Sequence, residues 1–146
     1  MSFNKEIIMK KTKHFTEKLY YMMGFGREVI KNEEDKVVFV NECSHLMDDD
    51  VREDFIALNK DLFNETLSLV TKVDPMQLPD SPSEYWFEAA DILYNLKNCN
   101  TKNELNKLFQ SVFGWWFTEN CLEGFELDDV TSEKLLNVRL KLVNLN

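Results

Sequence analysis

The chain has 146 residues, the size of one domain, and 44% of them are hydrophobic, including 11 phenylalanines. That apolar content can offset the entropy of ordering, which excludes a disordered chain. The formal net charge is −9, from 26 acidic and 17 basic side chains, a balance that repels nucleic acid and anionic membrane and attracts basic proteins.

No stretch reaches the roughly 20 apolar residues of a membrane-spanning helix. Met1 to Lys18 carries basic residues but lacks the apolar run of a secretory signal, so a cytoplasmic protein is expected. The charge is uneven. Residues 1–27 hold six basic and two acidic groups, residues 28–54 hold three and ten, and the remaining 92 hold eight and fourteen. The lysines at 10, 11, 13 and 18 read as an internal complement to the acids that follow, not as a nucleic-acid patch. Cys43, Cys99 and Cys121 are an odd number at wide spacings with no C-x-x-C, which fits reduced, buried thiols better than a disulfide framework.

In chain order, Ile8, Phe15, Leu19 and Met22 recur at helical spacing over about 4–23, and Gly24 stands where a left-handed cap would end that helix. Residues 27–41 read as a short hairpin: Lys36 to Val40 is β-branched and aromatic, and Asn32 to Asp35 is polar enough to turn. Asp48, Asp49 and Asp50 place negative charge at the start of a helix predicted to run to about Val73, with Val51, Phe55, Leu58, Leu62, Leu69 and Val73 as its apolar stripe. Pro75, Pro79 and Pro82 mark one stiff connection. Ser81-Pro82-Ser83-Glu84 and Thr101-Lys102-Asn103-Glu104 are capping boxes, so helices should begin at about 82 and 102. A last helix is predicted over 131–143, with Leu135, Val138 and Leu142 on one side and Leu136, Leu140 and Val143 on the other. The expected architecture is mainly α, a single domain over 1–146 of about five helices with a short β-hairpin near residues 27–41.

No reactive constellation stands out. A metal centre would have to be built around His14 and His45; Glu42-x-x-His45 is half of a di-iron pattern, and Lys11 occupies the place of the second glutamate. Asp48-Asp49-Asp50 lacks the alternating ligands, glycine and terminal glutamate of a calcium loop. Cys43 and His45, two positions apart, are read as facing apart. Gly24-Phe25-Gly26 is too short for a phosphate cradle, and no phosphate-loop, nucleophile-elbow or zinc-protease motif occurs. No catalytic residue, metal or cofactor is expected, and the chain does not read as an enzyme.

The features that suggest binding are acidic and aromatic. At about 100° per residue, Glu84, Glu88, Asp91 and Asn95 share a sector without Lys or Arg, opposite Tyr85, Ala89, Ile92, Leu93 and Leu96. Asp54, Asp61 and Glu65 form a similar sector on the preceding helix, and the two could merge into one acidic surface. On the helix from Lys102, Trp115 lies on the flank of an apolar arc centred on Leu105, Phe109, Val112 and Trp116, where it could anchor an interface. These residues make Glu84, Glu88, Asp91, Asp54, Asp61, Glu65 and Trp115 the candidate partner-binding set. The expected role is an acidic protein-binding inhibitor, in character like an immunity protein that neutralises a basic toxin such as a nuclease. Two alternatives are a viral or mobile-element mimic of nucleic acid that blocks a DNA-binding defence complex, and a secretion or assembly chaperone.

Overall fold

The computed structural model describes residues 30–31, 37–40, 43–78 and 82–144; the helix expected over 4–23 and its Gly24 cap lie outside them. The described chain is mainly helical. Strands β1 (Ile30–Lys31), β2 (Val37–Val40) and β3 (Cys43–Leu46) form an antiparallel sheet in that order. Ile30 pairs with Phe39 within the span of the expected hairpin, and Val40 pairs with Cys43 to add a third strand that the sequence did not lead us to expect.

Helix α1 (Asp49–Leu58) is capped by Asp48, whose Oδ1 accepts from the Val51 N–H at 3.0 Å, with Asp49 and Asp50 in its positive first turn. The helix expected to continue to Val73 stops at Asn59. There the backbone leaves helical geometry (φ −125°, ψ 36°), and the Asn59 side chain donates back to the Phe55 carbonyl at 2.9 Å. A side chain that competes locally for backbone acceptors favours such a break. Helix α2 (Lys60–Val73) starts afresh from the Asn59 carbonyl, which accepts from the Phe63 N–H. The break turns Leu58 out of the expected apolar stripe and leaves it 83% exposed.

Helix α2 ends at Asp74 in the left-handed region (φ 50°). Asp74 Oδ1 accepts from the Tyr85 hydroxyl and from the Leu78 N–H, tying the connection to the next element. The helix expected from residue 82 opens as a 3-10 turn (Pro82–Tyr85), becomes α3 (Trp86–Asn95) and closes as a 3-10 turn (Leu96–Asn98). Helix α4 (Lys102–Trp116) begins where its capping box places it: Thr101 Oγ1 accepts from the Glu104 N–H, and Glu104 Oε1 reaches back to the Asn100 N–H at 2.8 Å. Helix α5 (Asp129–Asn144) starts two residues before the expected point, because Asp128 accepts from the Thr131 N–H at 2.7 Å and serves as its cap.

The buried apolar residues form one cluster, in which Phe63 of α2, Ile92 and Leu93 of α3, Phe109 and Phe113 of α4, and Leu135 and Val138 of α5 are wholly enclosed. Helix α3 lies at its centre: every residue from Phe87 to Leu93 is buried. Among the described residues no helix is long and apolar enough to cross a membrane.

Candidate functional site

Strand β3 ends the sheet, so half of its backbone groups face away from β2 and need other partners. Side chains supply all four at Ser44 and Leu46. The Asn95 amide pairs with Ser44 in both directions, accepting from its N–H and donating to its carbonyl, each at 2.8 Å. Asp91 Oδ1 accepts from the Leu46 N–H at 2.8 Å, and Arg52 Nη2 donates to the Leu46 carbonyl at 2.7 Å. Asp91 and Asn95 are one helical turn apart and so lie on one face of α3. That face stands in for a fourth strand.

His45 occupies the middle of this seam and is fully buried. Its Nδ1 lies 2.9 Å from Asp91 Oδ2, and its Nε2 lies 3.5 Å from Cys43 Sγ. Asp91 as a carboxylate only accepts, so Nδ1 carries the proton and Nε2 is left to share one with the thiol. The expectation that Cys43 and His45 face apart is therefore corrected: residues two apart on a strand share a face. Asp91 Oδ2 also accepts from the Trp116 indole N–H at 2.6 Å, and Trp115 stacks on the imidazole with centroids 4.8 Å apart and planes 16° apart. Burial works against a charged imidazole, but the charge of Cys43, the hydrogen bonds His45 makes to Asp91 and Cys43, and the charge of Asp91 outweigh it and raise the His45 pKa to about 10.

Two further charged residues are enclosed beside this seam. Arg52 sits with its guanidinium carbon 4.0 Å from the centre of the Phe87 ring, and its Nη1 donates to Asp49 at 2.6 Å. Glu88 is 1% exposed, and neither of its carboxyl oxygens has a hydrogen-bond partner among the described residues. Burial pushes the Glu88 pKa up to about 8, with the neighbouring Asp91 adding to the rise and Arg52 opposing it.

Glu88 and Asp91 are thus not part of a solvent-facing acidic stripe. The sector drawn through Glu84, Glu88, Asp91 and Asn95 turns inward, because β3 needs acceptors and a donor there. Only Glu84 of that sector is more than marginally exposed. Trp115 is 4% exposed, held between His45 and the Met47 sulfur, and is a core residue and not a surface anchor. The two acidic sectors consequently do not merge. Asp54 and Asp61 do stand exposed, and Glu65 is half-exposed with its Oε1 3.4 Å from Lys141 Nζ.

Two surface features were missed in the sequence. Asp50, Glu53, Asp54, Ala57 and Leu58 share the outward face of α1, all exposed, so carboxylates flank a bare leucine. Residues 117–133 hold Glu119, Glu123, Glu126, Asp128, Asp129 and Glu133, all exposed, and no Lys or Arg; this run was legible in the sequence as a local charge bias. No protein-family profile matches the chain, and no curated protein or solved structure matches it.

Proposed function

We propose that the chain is an acidic protein-binding inhibitor that captures a basic partner through the outward face of α1 and the start of α2. The observation that carries this reading is Leu58, 83% exposed, beside Asp50, Asp54 and Asp61. These three exposed carboxylates have no ion pair with another described residue. An apolar anchor within an acidic rim suits a basic surface: the carboxylates speed encounter, and the leucine gains from burial once docked. A nuclease toxin is the partner class we favour, since clefts that hold phosphates are basic; neutralising it would make the chain an immunity protein.

The test is co-expression with a candidate basic nuclease toxin found by capture from source cells. Wild type should restore growth, and a chain carrying Leu58→Asp, Asp54→Lys and Asp61→Lys should not, while remaining folded. Equal rescue by both chains would refute this surface. Capture of a nucleic-acid-binding complex in place of a toxin would move the reading to mimicry of nucleic acid.

A further inference from the structure

Cys43 is more than a buried thiol beside a histidine. It lines a cavity of about 240 Å³ together with Asn95, Asn98, Cys99, Glu104, Lys107, Leu108 and Ser111. The same sulfur faces His45 Nε2 at 3.5 Å, and His45 Nδ1 faces Asp91 at 2.9 Å. A nucleophile, a base within reach and a third group that orients the base are the ordered parts of thiol-based acyl transfer. Here they end at a space open to a ligand.

We propose that Cys43 is a nucleophilic thiol that takes the acyl group of a small ester or thioester bound in this cavity. This is independent of partner capture, which uses the opposite character of surface on α1. The proton shared between Sγ and Nε2 rests on Nε2 as Sγ adds to the carbonyl carbon. The bond from that carbon to the leaving oxygen or sulfur breaks, the leaving atom takes the proton from Nε2, and Cys43 remains as a thioester. Water then attacks that carbonyl, gives a proton to Nε2, and releases a carboxylic acid as Sγ recovers the proton. No atom changes oxidation state, and water is the one co-reactant.

Each neighbour has a part in this. Asp91 is a positioning residue: it fixes the Nδ1–H tautomer and leaves Nε2 free to exchange a proton with sulfur. Trp115, stacked on the imidazole, presents a π face to the imidazolium. Asn98 and Lys107 line the cavity and can donate to the carbonyl oxygen. The volume lies below the roughly 300–1,000 Å³ of drug-sized sites, enough for a short acyl group. The titratable groups facing Cys43 are His45 on its own strand, Cys99 after α3, and Glu104 and Lys107 on α4; Asp91 of α3 stands behind His45, Arg52 of α1 is bonded to the adjacent Leu46 carbonyl, and Glu88 of α3 feels the charges of Asp91 and Arg52.

The experiment uses the full chain and p-nitrophenyl acetate across pH 5 to 9, read by nitrophenolate release and by mass spectrometry of the acetylated peptide. The expected result is acetyl on Cys43, in preference to Cys99 and Cys121, in protein whose circular dichroism is unchanged. His45→Gln should slow acetylation by roughly 100-fold or more and abolish the wild-type pH profile, and Cys43→Ser should remove the Cys43 adduct. Acetylation confined to Cys121, or a Cys43 that reacts only in denaturant, would overturn the proposal. So would a Cys43 rate and pH profile indifferent to His45→Gln.

Discussion

Replacing Asp91 tests whether this carboxylate is a surface charge or the keystone of the seam between β3 and α3. In Asp91→Ala three donors lose their acceptor at once: the Leu46 N–H, the His45 Nδ1–H and the Trp116 indole N–H. His45 and Leu46 are wholly buried and Trp116 nearly so, so water cannot replace the lost bonds. At about 1–3 kcal/mol for each orphaned group, the expected loss is about 3–9 kcal/mol, comparable with the whole stability of many domains, about 5–15 kcal/mol. Asp91→Asn should cost less, about 1–3 kcal/mol. The amide oxygen still serves Leu46, and His45 can give up its Nδ1 proton, keep the one on Nε2 and accept from the new NH2 group. The Trp116 N–H has no such escape. Urea denaturation of the full chain, followed by circular dichroism, measures both variants. Asp91→Ala within about 1 kcal/mol of wild type, as expected for an ordinary exposed carboxylate, would refute the seam.

Stability should fall as pH rises through the neutral range. Glu88 has a folded pKa of about 8 against an ordinary 4.5, so its contribution is complete below about 4.5 and is lost as pH rises through 8. His45, raised from 6.5 to about 10, acts in the same direction at higher pH. Glu88→Gln should therefore flatten the decline in Tm between pH 5 and 9 and raise Tm at pH 9; an unchanged slope would show that Glu88 is not the group responsible. Trp115→Ala should cost about 3–5 kcal/mol in the same urea assay, whereas an exposed interface anchor would cost little. Thr101→Ala, which removes the cap of α4, should cost about 1 kcal/mol, and a loss above about 3 kcal/mol would mean that Thr101 does more than cap. Leu58→Ser, at an exposed position, should leave stability within about 0.5 kcal/mol.

The starts of α1 and α4 were readable because a cap is local: Asp48 and Thr101 satisfy amides two to three residues away, and nothing distant is needed to see it. That the segment near 27–41 holds paired strands was likewise within reach of short-range pattern, though the Ile30–Phe39 register was not. The burial of Glu88 and Asp91 was not. Acidic and amide side chains at three- and four-residue spacing normally mark the wet face of a helix, and here the same spacing matches the free edge of β3. That match exists only once β3 is placed against α3. The break at Asn59 was equally hidden, since Leu58 fits the apolar stripe of a continuous helix. The shared face of Cys43 and His45 was legible from strand alternation alone, and it was misread.

The central claim is that a basic partner docks on the exposed face of α1 and the start of α2. The most direct measurement is capture from source cells by matched tagged chains, wild type and Leu58→Asp with Asp54→Lys and Asp61→Lys, at low and moderate salt, with equal folding confirmed by circular dichroism. The account predicts one basic protein held in equimolar amount by wild type, released as salt rises, and absent from the variant. The same protein retained equally by both chains would contradict it.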